Sequence, residues 1–189
     1  MVSSFQRSLL GGLAVCAALA PFLTSAPARA AEMTFGPHDV PTVFFIAKSN
    51  DKNRVDYGIR LDAACAPASD DAIIPYWREF EKAPPVRTHP LSLIDHIPYG
   101  VAEQRVLSRT ATGGEYAVKL KQFSRPIVIT SKKEADGTCS ATARATINGA
   151  TAQLLSVYAK LLSIVSVDYI DVFGRSFETG APVTERIKK

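Results

Sequence analysis

The strongest constraint on this chain's fold is a period-two alternation of side chains, broken at short intervals by turn residues. From position 55 the residues sort cleanly, with Val55, Tyr57, Ile59 and Leu61 on one side and Asp56, Gly58, Arg60 and Asp62 on the other. Successive side chains of a strand point to opposite faces, so this pattern describes a half-buried strand. The alternation returns where Tyr116, Val118 and Leu120 interleave with Ala117, Lys119 and Lys121. Two dipeptides, Asp136-Gly137 and Asn148-Gly149, are the strongest hairpin signals, because both suit the positive φ angles of a type I′ turn.

The rest of the chain extends the pattern. Residues 43–47 are a short apolar β-favouring run, expected to be a strand buried on both faces, and residues 50–53 form the turn after it. Residues 73–77 read as a strand whose Pro75 argues for a sheet edge. Pro84, Pro85 and Pro90 mark a semi-rigid loop, and residues 91–97 suggest one helical turn with Ser92 as N-cap and Pro98 beyond its end. Extended character resumes over 99–107, and further strands are expected at 127–129 and 138–147. Residues 150–165 are ambiguous: Leu154, Leu155, Tyr158, Leu161, Leu162 and Val165 fall at helical spacing, while the preceding turn calls for a partner strand. We assign strand there, followed by a last long strand through Val172 that turns at residues 173–175. Eight or nine strands joined mostly by tight turns define an all-β chain, an antiparallel sandwich or barrel with at most one short helix.

Residues 1–30 read as a cleavable signal peptide. Arg7 is followed by a charge-free apolar run from Leu9 to Leu23, then Pro21 loosens the segment ahead of Ala28-Arg29-Ala30, which places cleavage between Ala30 and Ala31. About 15 apolar residues make only about 22 Å of helix, short of the roughly 30 Å hydrocarbon core, which argues against a membrane anchor. Leu13-Ala14-Val15-Cys16 has the outline of a lipoprotein box, but Val15 stands where lipidation normally needs Gly, Ala or Ser. The expected mature chain, residues 31–189, is a single β-rich domain in the periplasm or secreted, without a spanning segment.

Cleavage also changes the charge and the cysteine count. Arg7 and Arg29 leave with the signal, taking the formal charge from +4 to +2. The remaining cations are spread along the chain, whereas nucleic-acid binding needs a clustered basic face. Cys16 leaves too, so Cys65 and Cys139 remain as one possible pair in an oxidising compartment. A bridge closing about 75 residues stabilises by up to roughly 4 kcal/mol in the chain-entropy account. Two unpaired thiols or a redox pair are the alternatives, and no Cys-x-x-Cys spacing supports the latter.

The order of these segments resembles the family known as domain of unknown function 4833, found in bacterial secreted proteins. The resemblance is carried by Phe44-Phe45-Ile46 with residues 49–53, Val55 and Tyr57; by Pro75-Tyr76-Trp77; by Leu91 with Pro98, Tyr99, Gly100 and Val101; and by residues 169–174 with Gly180 and residues 183–185. Members often carry Ala where this chain has Pro98, and the cysteine pair is this chain's own. The resemblance implies a compact β-rich extracytoplasmic domain and implies no activity.

No catalytic, cofactor or metal motif stands out. His38, His89 and His96 lack a ligand spacing, and Asp95 and His96 are adjacent, so they diverge in extended chain. Ser176 has no nucleophile-elbow context. Asp70 with Asp71 reads as a solvated loop pair, and Asp168 with Asp171 is offset by three, which puts them on opposite strand faces. Tyr57, Tyr76, Trp77 and Tyr99, with Asn53, Arg54 and Arg78 beside them, form the best candidate recognition surface, although the lone Trp77 also suits a core plug. Glu185 is a candidate partner for one of these arginines. We expect a non-enzymatic binding or structural module, its partner an envelope protein, glycan or lipid. The alternatives are a hydrolase-like envelope enzyme and a small-ligand or lipid carrier.

Overall fold

The computed structural model describes residues 40–49, 52–80, 87–163 and 166–188, all within one compact unit. The signal peptide, its cleavage site, Cys16 and His38 lie outside the described residues. Eleven strands and one short helix follow in order: β1 (Thr42–Lys48), β2 (Arg54–Ile59), β3 (Ile73–Glu79), β4 (Arg87–Pro90), α1 (His96–Tyr99), β5 (Val101–Thr110), β6 (Gly113–Leu120), β7 (Ile127–Lys133), β8 (Cys139–Ile147), β9 (Ala150–Leu161), β10 (Val167–Ser176) and β11 (Pro182–Lys188). The chain is mostly β, as its alternation requires, with a sandwich-like sheet that does not close into a barrel.

The sheet forks at β9. One edge of this strand is occupied along its length by β10, which then pairs with β11. The other edge is shared: residues 150–153 pair with β8, and residues 156–159 pair with β1. Two wings therefore leave the same strand, β1-β2-β3-β4 and β8-β7-β6-β5, with a common core between them. That core joins Phe44, Val55, Tyr57, Ile59 and Trp77 of the first wing to Tyr116, Val118, Ile129 and Ile147 of the second. Leu155 sits at the fork as a bulge, where the register with β10 shifts. Inward positions are Ala152 and Leu154 before it and Val157 and Ala159 after it. An extra residue that reverses the phase of a strand accounts for the helical spacing seen in this stretch.

Several expectations need correction. The β1–β9 pair is parallel, so the sheet is not wholly antiparallel. Strand β1 is not buried on both faces: Phe44 and Ile46 are buried, while Val43, Phe45 and Ala47 are half-buried. Strand β3 is not an edge, because β4 covers it; Pro75 is tolerated since pairing with β4 begins only at Tyr76, leaving no ladder partner for the missing N–H. The chain does not turn at 173–175 but continues to Ser176 and returns as β11. Helix α1 includes Pro98 rather than stopping before it.

The two hairpin signals resolve differently. Asn148 and Gly149 have φ of 51° and 80°, the two left-handed residues of a type I′ turn. At the other turn only Gly137 is left-handed, at 85°. There Gly137 N–H donates to Glu134 O at 3.0 Å and Glu134 N–H to Thr138 O at 2.8 Å, a type I turn closed by a glycine bulge.

Opposite the fork, a disulfide ties the wings together. Cys65, in the β2–β3 loop, is bonded to Cys139 at the start of β8, with Cα atoms 5.3 Å apart across 74 residues of sequence. Three tyrosine contacts reinforce the closure. Tyr57 hydroxyl donates to Tyr99 O at 2.7 Å, Tyr116 hydroxyl is bonded to Asp70 O, and the same hydroxyl accepts Ala72 N–H at 3.0 Å. Burial raises the pKa of both phenols, with Tyr99 adding to the effect at Tyr57, so both remain neutral donors.

Candidate functional site

Each wing turns one face inward and one outward, and the two outward faces differ in kind. On the first wing, alternation sends Arg54 and Asp56 of β2 outward with Tyr76 and Arg78 of β3. Asp56 is nevertheless fully buried. Arg54 Nε donates to its Oδ1 at 2.6 Å, and Thr42 hydroxyl donates to Oδ2 at 3.3 Å. Arg78 Nε lies 2.7 Å from Oδ2 as a charge contact, although its N–H is not aimed at that oxygen. Tyr76 hydroxyl shares a 2.9 Å hydrogen bond with Thr42. The Arg54 guanidinium also lies 4.2 Å above the Phe45 ring. Val40 packs where a side chain at position 58 would project, 2.5 Å from its Cβ, so glycine is required there. This face is sealed.

These contacts place the expected recognition residues. Tyr57, Tyr76, Trp77 and Tyr99 are all buried, at 0, 1, 7 and 7 per cent exposure. Trp77 packs edge-on against Tyr99, with ring centroids 5.4 Å apart, as part of the core. Asn53 accepts Phe80 N–H at 2.9 Å, and Arg54 and Arg78 are committed to Asp56. Glu185 pairs with a different arginine, Arg125, through contacts of 2.5 and 2.7 Å. It also accepts Asn148 N–H at 2.5 Å, tying β11 to the β8–β9 turn. Hydrogen bonds from Arg125 and Asn148 hold its pKa down at about 2.

The remaining candidates from the sequence serve structure. Asp70 and Asp71 are not simply solvated: Val106 N–H donates to Asp70 at 3.3 Å and Gln104 to Asp71 at 3.0 Å, binding the β2–β3 loop to β5. Asp171 faces Arg186 across the β10–β11 ladder at 2.7 and 2.8 Å. Ser176 hydroxyl accepts Glu178 N–H at 3.2 Å within the last hairpin. His89 Nε2 lies 3.3 Å from Glu79 Oε1.

The second wing presents the open surface. Thr130 and Lys132 of β7, Ser140, Thr142 and Arg144 of β8, and Thr151 of β9 line a shallow cleft of about 360 Å³ with Phe177 at its rim. Thr130 stands directly opposite Thr142, and Lys132 opposite Ser140, so the hydroxyls form rows at strand spacing. The cleft's two cations are balanced by carboxylates: Lys132 lies 3.1 Å from Glu134, and Arg144 2.8 Å from Glu115. Phe177, in the β10–β11 turn, is 56 per cent exposed. Sequence reading missed this site. Its signal was the alternation of Ala141, Ala143 and Ala145 with Ser140, Thr142 and Arg144, small residues inward and hydrogen-bonding ones outward.

Between the wings the packing is tight. The apolar cavity lined by Ile46, Tyr99, Phe123, Val157 and Ile170 measures only about 20 Å³, room for little more than one water molecule. A drug-sized ligand needs several hundred Å³.

Fold and site together define a two-winged, disulfide-tied, mostly β domain with one sealed outer face and one open polar one. Residues 44–186 match the family described as Domain of unknown function (DUF4833), and the chain belongs to that family. No curated protein and no solved structure matches it.

Proposed function

We propose that this chain is exported and works as a non-catalytic binding module, with the β7–β9 cleft as its binding surface and a neutral oligosaccharide as its ligand class. The cleft carries the reading. Rows of threonine and serine hydroxyls offer both donors and acceptors, Lys132 and Arg144 add donors held in place by their carboxylates, and Phe177 supplies an exposed aromatic face for the apolar side of a sugar ring. Because the charges are compensated within the site, a hydroxyl-rich ligand suits it better than a strongly anionic one. The Cys65–Cys139 bridge supports the export half of the proposal, since such bonds persist in oxidising compartments.

Titrating the isotopically labelled protein with a panel of cell-envelope oligosaccharides and following amide shifts tests the site. Shifts confined to Thr130, Ser140, Thr142, Arg144 and their neighbours are expected, weakened in Phe177→Ala. The absence of shifts with every glycan at millimolar concentration would sink the proposal. For export, N-terminal sequencing of protein recovered outside the cytoplasm should begin at Ala31; a chain beginning at Met1 counts against it.

A further inference from the structure

One end of the molecule carries an apolar projection that the cleft does not use. Between β4 and α1, Leu93 and Ile94 are 89 and 65 per cent exposed, and Ile97 of α1 is 54 per cent exposed. Three large aliphatic side chains in five residues, facing water, are costly unless something covers them. The segment is held rigidly in this shape. Buried Leu91 and Tyr99 anchor its two ends. Ser92 hydroxyl donates to Asp95 Oδ2 at 2.6 Å, Asp95 N–H returns to the Ser92 hydroxyl at 3.2 Å, and His96 N–H donates to Ser92 O at 3.1 Å.

Behind the projection lies a layer of a different chemistry. Trp77 and Tyr99 pack edge to face, and Lys48 Nζ sits 4.7 Å from the Trp77 ring. Burial pulls the Asp95 pKa up, but hydrogen bonds from Ser92 and Trp77 and the Lys48 charge outweigh it, so the carboxyl is held below its usual range. The one acidic group of the projection is thus compensated internally. Exposed Lys121 donates its backbone N–H to Gly100 O at 3.0 Å, directly behind α1. The β9–β10 turn reaches the same end, since Leu161 and Val167 line one cavity with Pro98 and Tyr99; it contributes Leu162, 70 per cent exposed, next to exposed Lys160.

We infer that this end docks on an anionic phospholipid surface, with Leu93, Ile94 and Ile97 entering the acyl boundary and Lys121 and Lys160 lying at headgroup level. An exposed aliphatic tip flanked by exposed lysines is the order of chemistries met on crossing an anionic bilayer interface from the acyl side, apolar first and cationic at headgroup level. The tip projects from the surface, so it suits a fluid bilayer. The inference stands independently of the glycan reading.

Trp77 is the chain's single tryptophan, which gives the test a native probe. Purified protein is mixed with vesicles of phosphatidylcholine alone or with phosphatidylglycerol, some carrying brominated acyl chains. Sedimentation with the phosphatidylglycerol vesicles and quenching of Trp77 by bromine are expected. In Leu93→Ser/Ile97→Ser, whose substituted side chains lie outside the core, partitioning should fall by more than about tenfold with the melting temperature unchanged. Lys121→Glu should weaken binding in a salt-dependent way. Absence of sedimentation with either vesicle overturns the inference. So does a dimer in light scattering that Leu93→Ser/Ile97→Ser converts to monomer, because the tip would then be a protein interface.

Discussion

The two wings bury similar apolar faces against each other, yet they treat charge in opposite ways. In the first, Asp56 is withdrawn from solvent and held by Arg54, Arg78 and Thr42. In the second, Lys119–Glu103, Lys132–Glu134 and Arg144–Glu115 lie on the surface, half in water. A buried carboxylate that loses its partners has nowhere to recover solvation, whereas a surface ion readily exchanges its partner for water. The first wing should therefore be brittle at its polar positions and the second tolerant of substitution on its outer face.

The largest expected effect comes from cutting the tie between wings. Replacing Cys65 and Cys139 by Ser should lower stability in urea unfolding by up to about 4 kcal/mol; a loss below 1 kcal/mol would mean that the core alone keeps the wings together. Within the first wing, Arg54→Ala with Arg78→Ala should cost about 3 kcal/mol by leaving Asp56 buried and poorly paired. Tyr116→Phe removes the hydroxyl that joins the β2–β3 loop to β6, and calorimetry should show a loss of about 1–2 kcal/mol. Glu185→Gln should cost about 1 kcal/mol at neutral pH, a partly screened contribution. Because the folded-state pKa of Glu185 lies at about 2, below its ordinary 4.5, this contribution is present above pH 4.5 and fades as the pH falls towards 2. The variant's loss should accordingly vanish across that window in an acid-unfolding series. At the small end, Arg144→Ala in the second wing should change stability by less than about 0.5 kcal/mol while weakening glycan binding. A cost as large as that of the Arg54/Arg78 pair would erase the contrast.

What could be read from the sequence follows the distance over which each element is decided. Strands β2 and β6 alternate on their own, and the Asn148-Gly149 turn needs only its two residues. Strand β11 was missed because Pro182, Glu185, Arg186 and Lys188 dilute the β signal of Val183, Thr184 and Ile187; its strand character comes from pairing with β10. The β3 edge assignment failed because Pro75 says only that one donor is missing at its own position, not that the whole strand lacks a neighbour. Burial of Asp56 depends on Thr42 and Arg78, which lie on other strands, so alternation within β2 could place it only on the outward face. Cys65 with Cys139 was legible by count alone. The cleft was not, since hydroxyls become a site only when β7, β8 and β9 bring them into rows.

The fork at β9 also has a consequence in time. The second wing is a run of consecutive hairpins, β5 to β9, in which each strand meets the next across a short loop. Strand β1 pairs with a segment more than 100 residues later, Phe45 with Ser156, and closing so long a loop is slow. The first wing thus has to wait for the last third of the chain before it gains its inner border. Pulse-labelled hydrogen exchange during refolding should find amides of β6–β8 protected before those of β1 and β2, and simultaneous protection would exclude this order. Until β9 arrives, the Asp56 cluster and the half-built first wing are the part of the molecule most open to misassembly.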